Sequence, residues 1–399
     1  MIEEDSQPET GVVPRIVLEP RPLRVLIVAP SLEILGGQAV QADRLLKQLS
    51  KISSLEVSLL PVNPHLPGPL RLLQKVKYLR TFVTSLLYLI TLFRWVPRYD
   101  VIHIFSASYF SFLLAPAPAI LVARFYGRKT LLNYRSGEAE DHLRRARKIV
   151  LPIIRLVDKI VVPSEYLVEV FRRYGFSSYP IPNFVDPGIF RFRSRTNPQP
   201  RFLSNRSFEP SYNVECTLRS FAMIQRRFPE ASLTLVGDGS QRAELEALAN
   251  ELGLRRVFFA GRVQPSKMSE FYEKADIYLN SPDIDNMPTS LIEAFASGIP
   301  IVTTDAGGIP LIVKDGETGL VSPRGDCEAM ARSAIRLIED PDLAFSIAQK
   351  AWQQCQKYTW QTVEAKWLGV YYELAGRTSS EPDCDSAVGR HNGRESLRS

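Results

Sequence analysis

The sequence predicts an α/β protein made of two doubly wound domains in tandem. Three observations predict it. Short apolar runs alternate with longer amphipathic stretches almost throughout. The runs are continuously apolar, as in parallel strands covered by helices on both faces. The pattern pauses once, between residues 180 and 201, where prolines cluster with Asn183, Gly188 and Asn197, and then begins again. A chain of 399 residues has room for two or three domains.

The first strand is expected at 23–29 (LRVLIVA), broken only by Arg24 and ended by Pro30; Gly36-Gly37 follows in the loop. Helical periodicity then runs over about 38–49. Further strands are expected at 55–60, 101–105, 130–134 and 159–162, with a long helix over about 70–95. After the pause come strands at 201–204, 232–236, 257–260, 276–279 and 300–303, each followed by helical periodicity, and helices continue to about residue 375. The domain reading is a flexible N-terminus (1–20), a first Rossmann-like domain (21–195) and a second one (196–357). A terminal helix (358–376) is expected to pack back on the first domain, and a polar, Gly/Ser-rich stretch (377–399) to be disordered. Ligands bind such sheets at the carboxyl ends of their strands, so two facing domains predict one deep cleft.

Composition narrows the function classes. With 45% hydrophobic and 23% charged residues the chain is neither disordered nor collagenous. Forty-nine Lys+Arg against 43 Asp+Glu give a net charge of +6, a mild bias toward anionic partners that lacks the dense basic stripe of a nucleic-acid binder. Cys216, Cys327, Cys355 and Cys384 lie far apart with no metal-ligand spacing, which fits a reducing compartment. The acidic, proline-interrupted N-terminus is unlike a secretory signal. Residues 81–93 lack charge, but thirteen residues fall short of the ~20 that cross a bilayer. Residues 101–123 are long enough, yet His103, Pro116 and Pro118 and a β-branched opening make them a strand, a loop and a helix. The expectation is a cytoplasmic protein, peripheral at the inner face of the membrane if the cationic cluster Arg144, Arg145, Arg147 and Lys148 acts with the apolar residues 86–93. A solvated helix face with buried packing is the preferred reading of that cluster.

The chemistry concentrates in NSPDIDNMPTSLIEAFASGIPIVTTDAGG, residues 280–308. A strand ends in a loop carrying Asp283, Asp285 and Asn286, and a helix begins at Pro288-Thr289-Ser290. Free N–H groups around Thr289, Ser290 and Leu291 make a natural seat for a diphosphate, aided by the helix dipole. Glu293, just over a turn into the helix, is placed to accept hydrogen bonds from a vicinal diol such as that of a ribose. The plain alternative is that Asp285 and Asn286 cap the helix and Glu293 makes a solvated ion pair.

This stretch resembles the signature of retaining GT-B glycosyltransferases of the family-4 type, which transfer a sugar from a nucleotide diphosphate sugar. Their hallmark is two glutamates separated by seven residues, then a glycine-proline strand and a Gly-Gly turn. Glu293, Gly298, Pro300 and Gly307-Gly308 match, and Asp285 replaces the first glutamate. Gly36-Gly37, Val162-Pro163-Ser164, Pro182-Asn183-Phe184-Val185-Asp186, Gly237-Asp238-Gly239 and Gly261-Arg262-Val263 follow the same order, so the resemblance extends from Leu23 to about Ala375.

The resemblance implies a hexosyltransferase-like enzyme with a nucleotide-sugar donor, a glycan, lipid-linked or small-molecule acceptor, and no metal or other cofactor. It implies that Glu293 binds the ribose, that Asp285 faces the sugar or phosphates, and that Arg206 neutralises the leaving group. Backbone around Gly36, Gly37, Thr289, Ser290 and Leu291 would cradle the diphosphate, with Asn286 and Gly237 nearby and Arg262 and Val263 at the base. Two departures stand out. The lysine expected about six residues after Arg206 is replaced by Tyr212-Asn213, leaving Arg262 or Lys267 to supply a second cation. A histidine expected after the 130–134 strand is replaced by Arg135, with Glu138 and His142 as nearby polar candidates. Arginine can bind an anion but cannot serve as a base at neutral pH. The departures motivate a second reading, a non-catalytic scaffold of the same fold. A nicotinamide-dependent oxidoreductase is a third, disfavoured because no Gly-x-Gly-x-x-Gly turn follows residues 23–29.

Overall fold

The computed structural model describes residues 21–33, 36–64, 77–106 and 108–377. The segments expected to be flexible at the N-terminus (1–20) and disordered at the C-terminus (378–399) lie outside the described residues, as do residues 70–76 of the expected long helix.

The chain forms two six-stranded sheets, parallel throughout, each with helices on both faces. Sheet one contains β1 (Leu23–Ala29), β2 (Leu55–Pro61), β3 (Val101–Ser106), β4 (Lys129–Tyr134), β5 (Lys159–Val162) and β6 (Tyr179–Pro180), in the order β2-β1-β3-β4-β5-β6. Its helices are α1 (Gly37–Leu49), α2 (Lys77–Trp95), α3 (Tyr109–Leu114), α4 (Pro116–Phe125), α5 (Ala139–Arg145), α6 (Arg147–Ile154) and α7 (Glu165–Arg173). Sheet two contains β7 (Arg201–Asn205), β8 (Ser232–Val236), β9 (Val257–Gly261), β10 (Ile277–Asn280), β11 (Ile301–Thr304) and β12 (Leu320–Ser322), in the order β12-β11-β10-β7-β8-β9. Around it lie α8 (Val214–Arg227), α9 (Arg242–Glu251), α10 (Met268–Lys274), α11 (Thr289–Ala296), α12 (Cys327–Glu339) and α13 (Pro341–Cys355). This is the two-domain GT-B architecture, with one cleft between the domains.

The apolar runs form these strands because both faces of each sheet are covered. Leu26, Val28, Ile102 and Ile104 point into one core of the first domain, and Val25, Ile27, Val101 and Leu131 into the other. The short strands β6 and β12 escape sequence reading, since two or three residues cannot display a period. Residue 276 lies just before β10 instead of within it. Its carboxylate gathers the interdomain linker, taking Arg193 at 2.7 Å and Arg201 at 2.6 Å. Buried Arg195 donates to the carbonyls of Tyr272, Ala275 and Ser297, so the linker is clamped to the second domain.

The last helix, α14 (Trp360–Ala375), crosses back. Val363, Trp367, Val370 and Tyr371 pack against Leu23, Val25 and Phe105 of sheet one. The outgoing and returning crossings run side by side, joined by the Val185 N–H donating to Tyr358 O at 2.9 Å.

Helix α2 runs past residues 81–93 at both ends. Together with the following turn it offers 20 residues, Leu79–Arg98, long and apolar enough by length and composition to cross a bilayer. One face is nevertheless committed to the domain: Tyr88 and Leu92 lie in the core, and the Tyr88 hydroxyl donates to Ala115 O at 2.9 Å. The opposite face exposes Leu79, Phe82, Leu86, Leu89, Ile90 and Phe93.

Candidate active site

The cleft lies over the carboxyl ends of both sheets and has a volume of about 490 Å³. In sheet two it opens between β7 and β10, where the strand order reverses, the place where such folds bind ligands. Strand β7 delivers Arg206 there, and β10 delivers the 281–288 loop and then α11.

Helix α11 starts at Pro288 with no side-chain cap, and no acceptor in the described protein takes the Thr289 or Ser290 N–H. The first N–H groups of a helix lack intrahelical partners. With the helix dipole behind them they form an anion seat facing the cleft. Arg206 stands beside it: Nη1 donates to Ser290 Oγ at 3.2 Å, Nη2 pairs with Asp285 Oδ2, and the guanidinium lies 4.2 Å from the Tyr212 ring centroid. Burial opposes the Arg206 charge, but Asp285, Tyr212 and Tyr278 outweigh it and hold its pKa above the ordinary value. Tyr212, where the resemblance anticipates a lysine region, thus supports the first cation in place of adding a second.

The Asp285 loop is held by the Gly307-Gly308 turn. Gly307 has φ +51°, and a Cβ there would fall 2.0 Å from Asp285 O, so any side chain would push the loop away. The Gly308 N–H donates to Asp285 O at 3.2 Å. Gly237 performs the same service under Arg206, whose carbonyl its Cβ would strike at 2.0 Å.

Glu293 is buried, and both its oxygens are engaged. Arg44 Nη2, from α1 in the first domain, lies 2.6 Å from Oε1, and the Tyr272 hydroxyl is 3.0 Å from Oε2. Burial and Glu293 itself raise the Tyr272 pKa well above its ordinary value, so that hydroxyl remains a donor. Arg44 also donates to Phe184 O at 3.3 Å, and Gln41, one turn earlier, reaches Phe184 O at 3.1 Å and Thr289 Oγ1 at 3.3 Å. Helix α1 therefore touches the linker and the start of α11 together.

The structure brings Gly36, Gly37, Arg135, Arg206, Gly237, Arg262, Val263, Asp285, Thr289, Ser290 and Glu293 to one cleft. A Cβ on Gly36 or Gly37 would meet no protein atom within 4 Å; the space beside them is the cleft itself. Arg262 is paired with Asp238 at 3.2 Å. Two donor-binding expectations are corrected. Asn286 does not line the cleft: it is buried between the domains, where its Oδ1 accepts from Ser164 Oγ. Leu291 is fully buried in the core, and its N–H is used by Pro288 O at 3.2 Å. Lys267 does not line the cleft either. His142 is a core residue, 2.7 Å from the Tyr134 hydroxyl, and burial pushes its pKa down to about 4. Glu138 does line the cleft, its pKa raised by burial and by Asp141.

Sequence reasoning missed Arg44 and Tyr272. Arg44 lies 249 positions from its carboxylate, so no local spacing reveals it. Tyr272 reads as one of the apolar positions of α10.

Comparison with known proteins agrees with this fold. A glycosyltransferase family 4 model matches residues 35–188, and a glycosyl transferases group 1 model matches residues 188–354. Between them the two models span residues 35–354, so both halves of the chain match GT-B glycosyltransferase families. Sulfoquinovosyl transferase SQD2 of Arabidopsis thaliana is 29% identical over 165 residues, covering 41% of this chain and 32% of that protein, well under two thirds of its length. The phosphatidyl-myo-inositol mannosyltransferase of Mycolicibacterium smegmatis is 26% identical over 297 residues, 71% of this chain and 74% of that one. Among solved structures, Anabaena Alr3699/HepE in complex with UDP-glucose superposes with a TM-score of 0.67 at 17% identity, covering 88% of this chain and all of that one.

Proposed function

We propose that the protein transfers a sugar from a nucleoside diphosphate sugar to an acceptor hydroxyl, with retention of anomeric configuration. The observation that carries the reading is the convergence of Arg206, the uncapped start of α11 and buried Glu293 at the point where the strand order of sheet two reverses. In this reading the diphosphate sits on the Thr289 and Ser290 N–H groups, the ribose hydroxyls donate to Glu293, and Arg206 takes up the charge that grows on the leaving phosphate. Asp285 holds the guanidinium in place. The anomeric carbon–oxygen bond to the phosphate breaks while the acceptor oxygen bonds on the same face, and the acceptor proton passes to the departing phosphate oxygen. No protein nucleophile is required; positioning and charge stabilisation carry the reaction. A uridine or other nucleobase would lie toward Arg262 and Val263.

A donor panel read by nucleoside diphosphate release tests this, with product configuration read by NMR. Release with at least one donor is expected, and Glu293→Ala and Arg206→Ala should erase most of the rise in Tm given by the matching nucleoside diphosphate. No release and no Tm shift with any common donor would overturn the reading; a shift without release would favour the scaffold alternative.

For the acceptor side, the favoured source is a lipid-linked molecule at the cytoplasmic face of a membrane. The exposed stripe of α2 continues onto α3 and α4 through Phe110, Leu113, Leu121 and Phe125, with the Phe93 and Phe125 rings 6.2 Å apart. The strongly exposed Arg144 and Arg145 follow on α5 of the same domain, with Arg147 and Lys148 on α6. An apolar face with cationic residues nearby suits an anionic bilayer surface. Co-sedimentation with phosphatidylglycerol vesicles should be strong at low salt, weak with phosphatidylcholine, and lost in Phe82→Glu/Ile90→Glu; equal binding by that variant would remove the membrane reading.

A further inference from the structure

Four arginines line the cleft, and three of them have a carboxylate: Arg44 with Glu293, Arg206 with Asp285 and Arg262 with Asp238. Among the described residues Arg135 has none within 4.0 Å. Its guanidinium donates through Nη2 to Asn183 Oδ1 and lies 5.4 Å from the Phe105 ring centroid. A guanidinium carries five N–H donors in a fixed fork, so one acceptor and one ring face leave most of the fork free toward the cleft. Burial alone pushes its pKa down, to about 9, so the charge is retained at neutral pH with no acid to balance it. Glu138, three residues on, makes no ion pair with it, and its own pKa is raised by burial and by Asp141. A partly desolvated cation without a counter-charge is costly, and the cost is relieved when a ligand brings the anion.

The position of Arg135 says which part of a substrate it meets. It stands at the carboxyl end of β4, in sheet one, across the cleft from the nucleotide side. The same loop presses on the second domain: a Cβ on Gly137 would come within 3.1 Å of Asp285 Cα. Its partner Asn183 donates through Nδ2 to Met287 O at 2.6 Å, two residues before α11. Arg135 is thereby tied, through one amide, to the lip of the diphosphate seat while facing the space where the sugar and the acceptor must meet. The diphosphate already has the α11 N–H groups and Arg206.

We infer that Arg135 recognises a negative charge beyond the donor diphosphate: a carboxylate, sulfonate or phosphate on the transferred sugar or on the acceptor. Asn183 is its positioning residue. The inference rests on the donor reading above and deepens it, by making the protein selective for an acidic substrate.

The test compares wild type with Arg135→Gln and Arg135→Lys, each first checked for an unchanged Tm. In the donor arm, affinities are measured for UDP, UDP-glucose and UDP-glucuronate, with GDP, GDP-mannose and GDP-mannuronate as a parallel set. In the acceptor arm, the protein saturated with the better nucleotide is titrated with glucose and with glucose 6-phosphate. Wild type should bind the acidic member of one pair about 10- to 100-fold more tightly than the neutral member. Arg135→Gln should abolish that preference while changing affinity for the bare nucleotide less than threefold, and Arg135→Lys should restore part of it. A preference in the donor arm assigns the charge to the sugar; a preference in the acceptor arm assigns it to the acceptor. No preference in either arm overturns the inference, and so does an equal loss of affinity for bare UDP or GDP, which would make Arg135 a diphosphate ligand. Failure of wild type to bind either bare nucleotide is a separate result: it removes the donor reading and, with it, this one.

Discussion

The two halves of the cleft treat their charges differently. On the sheet-two side, Arg206 and Arg262 are each neutralised by an acid of their own domain. On the sheet-one side, Arg44 finds its acid only across the cleft, and Arg135 finds none among the described residues. A self-paired site is organised before any ligand arrives. A site whose charges are satisfied from across the cleft is organised by closure or by substrate. The sheet-two half therefore reads as the rigid platform and the other half as the part that completes the site.

The largest effect should come from breaking the self-paired side. Arg206→Ala leaves the Asp285 carboxylate facing the phosphates with no counter-charge, and kcat should fall about 10²- to 10³-fold. Steady-state kinetics on the best donor measures it; a fall below tenfold would mean that another cation carries the leaving group. The cross-cleft pair comes next. Arg44→Ala should weaken nucleoside diphosphate binding by about tenfold, because Glu293 loses a charge-assisted partner and α1 loses its hold on the second domain. Calorimetry and the solution radius of gyration read the two consequences separately. Unchanged affinity with an unchanged radius would show that Glu293 needs no support from the first domain.

A third effect, on stability instead of on binding or rate, distinguishes the halves by acid. His103 and His142 are fully buried in the first domain, and burial pushes their pKa values down to about 3 and about 4. Both are neutral when folded and would take up a proton in the unfolded chain below about pH 6.5. The unfolded state then binds more protons, so their contribution is complete above about pH 6.5 and is lost as the pH falls toward 4, at about 1.4 kcal/mol per pH unit for each histidine. The second domain has no histidine. Calorimetry at pH 5 should find the first domain melting earlier than at pH 7. His103→Gln should reduce that difference; no change in the gap between the halves would refute the assignment.

Much of this was legible along the chain. The strands before and after the linker were readable because a covered parallel strand is a continuous apolar run bounded by turn residues, and such a run is local. The acid loop and the helix after it were readable for the same reason: Asp285, Thr289, Ser290 and Glu293 lie within nine residues. Asn286 and Leu291 were misassigned because proximity in sequence does not say which side of a backbone faces a cleft. Asn286 turns toward Ser164 and Leu291 into the core. The exposed face of α2 was underread, since charge-free length was counted where the helix surface matters.

The sequence by itself determined the two sheets, the cleft between them and which polar groups cluster at the start of α11, because these follow from periodicity, turn residues and groups a few positions apart. Only the tertiary structure decided how the charges pair. Arg44 meets Glu293 across 249 positions, Asp285 is drawn to Arg206 across 79, and Arg135 is left facing the cleft with an amide for company. Coulombic and hydrogen-bond partners act over a few ångströms of space, whatever the distance along the chain, and it is the closure of two domains that sets that distance.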